Sequence, residues 1–117
     1  MSYHISNLEI GGIELKFYSP IQKVLITGDK VLVLLERVGV EVDETKESLT
    51  QNIHAYGNKG RKLWSIEPPP TFQNRKGLIT GLYTRENKVL AYMSYGVDFE
   101  INLDDGSLIH IPDQRPW

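Results

Sequence analysis

Apolar and polar residues alternate with a period of two along most of this chain, and no segment shows a helical stripe. Ile13, Leu15 and Phe17 alternate with Glu14, Lys16 and Tyr18; Val97, Phe99, Ile101 and Leu103 alternate with Asp98, Glu100, Asn102 and Asp104. Successive side chains of a strand point to opposite faces, so each run sets one face on a core and the other in water. Val31 to Leu35 is apolar at every position, which fits a central strand covered on both faces. Turn-forming groups separate the runs: Gly11-Gly12, Gly28-Asp29, Asn58-Lys59-Gly60, Glu86-Asn87 and Asp104-Asp105-Gly106. The pattern predicts an all-β antiparallel meander. Its expected core holds Val31, Val33, Leu35, Trp64, Val89, Phe99 and Ile101.

The stretch NIHAYGNKGRKLWSI, residues 52–66, reads as a strand, a glycine-centred turn and a second strand carrying Trp64. It has a counterpart downstream. Ile53 to Trp64 lies over Phe99 to His110, with Gly60 on Gly106, Leu63 on Ile109 and Trp64 on His110. Gly28 to Val33 likewise matches Glu86 to Ala91, and the segment from Val38 to Gln51 is longer than its equivalent, Ser94 to Asp98. Two copies of a four-strand unit follow, and repeats of this length mean stacked or radially arranged sheets. The expected organisation is a single all-β domain over 1–117: an N-terminal hairpin in 1–20, a first unit in 21–67 and a second in 77–111. Pro68-Pro69-Pro70 serves as an extended spacer between the units.

The same residues carry a family resemblance. NIHAYGNKGRKLWSI resembles the outer hairpin of a β-propeller blade of the pyrroloquinoline-quinone or tryptophan-docking kind, where Asp/Asn-x-Gly-Lys-x-Leu-Trp follows a strand. INLDDGSLIHI, residues 101–111, looks like a degenerate version of that turn, and the resemblance covers roughly residues 21–111. It implies two blade-like sheets in which Trp64 docks one on the other, with His110 at the corresponding place of the second copy. A closed propeller usually takes about 4–8 blades, so the implied architecture is a half-propeller or a two-sheet sandwich. The N-terminal hairpin would cover an otherwise open edge. Trp64-Ser65-Ile66-Glu67-Pro68-Pro69 also resembles a stretch of small bacterial proteins with one blade pair, several of which look like immunity partners of polymorphic toxins.

With 117 residues there is room for one modest core. A net charge of −2 argues against nucleic acid, whose phosphates call for concentrated Lys and Arg. No cysteine is present, which removes disulfides and thiolate metal sites. MSYHISNLEI has neither the basic nor the apolar region of a signal peptide, and Val31 to Leu35 is too short to cross a bilayer. A cytoplasmic protein with no membrane contact is the expectation.

Candidate chemistry is sparse. His4, His54 and His110 lie on separate strand-like runs without the short ligand spacing of a zinc site, so no metal is expected. Nucleophile elbows, phosphate loops and dinucleotide fingerprints are absent from the sequence, and neither catalysis nor a cofactor is expected. Asp104-Asp105 reads as a turn tip, since adjacent turn carboxylates point apart. Lys59, Arg61 and Lys62, with Arg75 and Lys76, form a small basic group suited to a soluble turn. The long segment from Val38 to Gln51 carries Glu41, Asp43, Glu44 and Glu47 against Lys46, and long connections are often functional. These acids suit docking on a basic protein partner such as a toxin domain. The favoured function is a non-catalytic interaction protein, in its most concrete form an immunity protein. An alternative is a small-molecule module for sugars or planar ligands, with Tyr56, Tyr83, Tyr92 and Tyr95 lining a groove between the sheets. An open sheet edge can also pair two copies into a homodimer.

Overall fold

The computed structural model describes residues 7–17, 20–36, 51–70, 78–112 and 114, and among these every regular element is an antiparallel strand. β1 (Asn7–Ile10) and β2 (Ile13–Lys16) form a hairpin. β3 (Ile21–Thr27), β4 (Lys30–Leu35), β5 (Ile53–Gly57) and β6 (Lys62–Ser65) form a first four-stranded sheet in chain order. β7 (Ile79–Arg85), β8 (Lys88–Met93), β9 (Asp98–Ile101) and β10 (Leu108–His110) form a second. Among the described residues no helix is long and apolar enough to cross a membrane.

The continuous apolar run explains the layering. β4 lies inside the first sheet, and its alternate side chains serve two cores. Leu32 and Leu34 join Ile53, Ala55, Trp64 and Ile66 against Val89, Ala91, Met93, Phe99 and Ile101 of the second sheet. Val33 and Leu35 point the other way, with Tyr56, onto Leu8, Ile10 and Leu15 of the hairpin. Phe17 meets Tyr56 edge-on, with ring centroids 6.0 Å apart. The molecule is therefore three layers deep: hairpin, first sheet, second sheet. All the predicted core residues are buried except Val31, which is half-buried beneath the hairpin.

Equivalent positions repeat in geometry as well as in sequence. Both sheets open with a register irregularity, at Ile21/Lys23 and at Ile79/Gly81, and both first hairpins close with Thr27 opposite Lys30 or Arg85 opposite Lys88. Val33 faces His54 and His54 faces Ser65, where Ala91 faces Phe99 and Phe99 faces His110. The register thus corrects the alignment drawn through the two turn glycines. A bulge between Ala55 and Tyr56 sets Trp64 opposite Ala55 but Lys62 opposite Tyr56. The one-residue slip makes Ile109, opposite Glu100, the counterpart of Trp64, in place of His110.

Turn glycines seat one layer on another. Gly60 has φ +86°, and a Cβ there would lie 2.6 Å from the Ile10 carbonyl oxygen and 3.0 Å from Ile13 Cβ. Gly106 has φ +79°, and its Cβ would lie 2.5 Å from Trp64 Cε3. The Trp64 indole spans from the first sheet to the second, packing on Gly106 and donating from Nε1 to the Leu103 carbonyl at 2.9 Å. Glu67 reinforces this seam: its amide donates to the Gly106 carbonyl at 2.9 Å, and its carboxylate accepts from the Leu108 amide at 2.7 Å. Also between the sheets, buried Asn52 donates to the carbonyls of Leu35 and Ile79 at 3.1 and 3.0 Å.

Candidate functional site

The space between the two sheets is packed over most of its length, and it opens at one end. There a cleft of 590 Å³ is lined by Thr27, Thr84, Arg85, Glu86, Asn87 and Val89. Register places each of them. Thr27 ends β3 on the face that carries Leu25 into the main core, and Thr84 sits opposite Val89 on the facing side of the second sheet. Arg85 ends β7 on the outer face, beside Lys88 and Tyr83, and so borders the cleft only from its rim; Glu86 and Asn87 make the turn to β8. Val89 is buried and supplies an apolar floor. The volume falls within the range of about 300–1,000 Å³ typical of ligand sites.

The turn at its rim is unusual. Glu86 and Asn87 both adopt positive φ, +52° and +64°. Asparagine tolerates this region, but glutamate there costs roughly 1–2 kcal/mol. The matching position of the first sheet is Gly28, at φ +58°, which carries no such cost. The second copy thus has a strained glutamate at the cleft rim where the first has a relaxed glycine. Among the described residues no carboxylate lies within ion-pair distance of Arg85, and no cation within that distance of Glu86.

The four tyrosines singled out in the sequence do not line this cleft. Tyr56 is buried under the hairpin. Tyr95 is buried in the main core, and its hydroxyl donates to the Pro70 carbonyl at 2.9 Å. Tyr83 and Tyr92 share the outer face of the second sheet with Leu90, Asp98 and Glu100. The Tyr83 hydroxyl donates to Asp98, and desolvation followed by this bond pushes its pKa up to about 12. Lys88 pairs with Glu100 across the same face at 3.6 Å. Glu41, Asp43, Glu44 and Glu47 lie outside the described residues, as do Arg75 and Lys76. Sequence reasoning passed over Thr27, Thr84 and Arg85. Its one available signal was the exchange of Gly28 for Glu86 between the copies.

The histidines and the acidic turn have structural surroundings. His54 is buried on β5, where its Nδ1 and Ser65 Oγ share a hydrogen bond of 2.8 Å. His110 is exposed, its ring 6.1 Å from that of Phe99. The Ser107 amide and hydroxyl both donate to Asp105, holding its carboxyl below the usual carboxylate range. Among the described residues no group of three or more His, Asp or Glu side chains is placed to hold a metal ion.

Burial, aided by the nearby Lys62 charge, lowers the His54 pKa from 6.5 to about 4. The folded protein therefore resists protonation that the unfolded chain accepts. Its contribution to stability is complete above pH 6.5 and falls as the pH drops toward 4. Between pH 7 and pH 5 a loss of about 1–2 kcal/mol is expected, read as a lower urea midpoint. His54→Gln should flatten that dependence; an unaltered slope would show that His54 titrates normally.

The chain belongs to the family described as Domain of unknown function (DUF7957), whose model matches residues 1–112. No curated protein and no solved structure matches it.

Proposed function

We propose that this chain is a non-catalytic binding protein whose ligand site is the cleft at the open end of the inter-sheet seam. The observation that carries the reading is the cleft itself, 590 Å³ in volume, where Thr27 of the first sheet and Thr84 of the second meet over the buried Val89. On the outer face of the second sheet Lys88 pairs with Glu100 and Asp98 accepts from the Tyr83 hydroxyl. The ligand alternative raised by the sequence thus keeps its place between the sheets but changes its residues. Docking of a basic protein partner on Glu41, Asp43, Glu44 and Glu47 stays a proposal from charge alone. The blade-like reading of the two sheets draws its support from the Trp64 indole seated on Gly106.

A thermal-shift panel of amino acids, short peptides, sugars and nucleotides tests the cleft. A ligand at a hundred times its Kd stabilises the fold by about 2.7 kcal/mol. A stabilising compound should lose its effect on Thr84→Trp, which fills the cleft from an exposed strand position, while that variant unfolds at the unliganded wild-type temperature. Stabilisation that survives in Thr84→Trp would place the site elsewhere.

A further inference from the structure

We infer that two copies of this chain pair through the free edge of β3, antiparallel and about a two-fold axis at Leu25. β3 and β7 are the two seven-residue edge strands of the four-stranded sheets. The exposed positions of β7 are polar, Thr80, Thr84 and Arg85, whereas β3 shows Val24 at 37% and Ile26 at 74% exposure. Register shows what these two residues continue. Ile26 faces Val31, which faces Tyr56, and Val24 faces Val33. Val33 and Tyr56 belong to the core beneath the hairpin and Val31 packs against it, so an apolar layer runs out from under the hairpin and ends bare at β3. Sheet edges are ordinarily blunted by a proline, a bulge or a charge. β3 has these at its first half alone: Pro20 before it, the irregularity at Ile21/Lys23, and Lys23 itself. From Val24 to Thr27 there is none.

The backbone is set for the same contact. A two-residue turn closes β3 on β4 through Thr27 and Lys30, and the closing pair of such a hairpin exchanges hydrogen bonds. By alternation Leu25 bonds to Leu32, and the amides and carbonyls of Val24 and Ile26 point to the open side. Among the described residues no strand of the sheet lies there. A second copy suits this edge because the segment is alike on both sides of Leu25. With Leu25 against Leu25, Val24 of each copy lies opposite Ile26 of the other, and the outward amides and carbonyls of these pairs satisfy one another. Their four side chains gather on one face and cover each other. Lys23 meets Thr27 and not a second lysine, so no like charges are opposed. The two sheets join as one, four strands from each copy, across a self-complementary interface.

Sedimentation velocity of the full chain over rising concentration should show monomer and dimer in exchange, and nothing larger. Hydrogen exchange followed by 15N NMR reads the register. The Val24 and Ile26 amides should slow by about tenfold or more between dilute and concentrated protein, while that of Leu25, already bonded to Leu32, should not change. Ile26→Lys should weaken the dimer by about tenfold or more and leave the urea midpoint of the monomer unmoved, because the position is exposed. Ile26→Thr keeps the branched side chain that strands favour and should weaken the dimer less. Leu63→Lys, at an exposed position of the opposite edge strand β6, should dimerise as wild type does. A chain that stays monomeric up to millimolar concentration would overturn the inference. So would a dimer undiminished in Ile26→Lys, a dimer lost in Leu63→Lys, or growth into larger assemblies.

Discussion

Alanine in place of Trp64 is expected to lower the unfolding free energy by about 3–5 kcal/mol, the usual cost of emptying a buried indole site. Trp64 is 8% exposed and belongs to the main core, so most of its surface leaves water on folding. It also supplies a cross-sheet hydrogen bond, from Nε1 to the Leu103 carbonyl at 2.9 Å. Against a total stability of about 5–15 kcal/mol, such a loss approaches the threshold for unfolding. Trp64→Phe keeps most of the ring contact and should lose less. Urea midpoints of the three proteins measure the effect. A midpoint that does not move in Trp64→Ala would mean that the indole does not hold the sheets together.

Gly106→Ala is expected to cost about 2–5 kcal/mol for two separable reasons. At φ +79° any L side chain is strained, by roughly 1–2 kcal/mol. The new methyl would also lie 2.5 Å from Cε3 and 2.8 Å from Cδ2 of Trp64, an overlap that forces the layers apart at about 1–3 kcal/mol. Only the second part depends on the indole. In a Trp64→Ala background the overlap with the indole vanishes and only the 3.1 Å approach to the Ser65 carbonyl oxygen remains, so the double variant should be more stable than the sum of the single losses predicts, by about 1–3 kcal/mol. Strict additivity in the denaturation cycle would separate the two residues and refute the seat.

Much of the architecture was legible because it rests on local patterns. Period-two alternation and turn pairs suffice to locate strands, and five apolar residues in a row required that β4 have a covered layer on each side. What a pattern does not convey is which face a residue joins once a strand bulges. Aligning Gly60 with Gly106 compares two turns, and the slip at Ala55/Tyr56 lies inside a strand, so His110 took the place that belongs to Ile109. The tyrosines failed for a related reason. An aromatic side chain with a polar tip fits equally well under a hairpin (Tyr56), in a core with one hydroxyl bond (Tyr95) or on an outer face (Tyr83 and Tyr92). The cleft was the hardest to see. It is made where strand ends far apart in the chain meet, and Thr27, Thr84 and Arg85 are ordinary residues for such ends.

The seating of each layer on a glycine turn has a consequence for assembly. The contact is directional: the hairpin covers Gly60 of the first sheet, and the first sheet's Trp64 covers Gly106 of the second. A surface that fits the next unit but not itself is the geometry of a polymer, which grows without limit unless it closes into a ring. Among the described residues the two outer faces differ from the glycine seats between the layers. The outward positions of the hairpin are Asn7, Glu9, Glu14 and Lys16, all exposed and polar. The far face shows Ile109 where an indole would reach onward, beside charges that already have partners. Among the described residues one directional contact is thus used twice, hairpin on first sheet and first sheet on second.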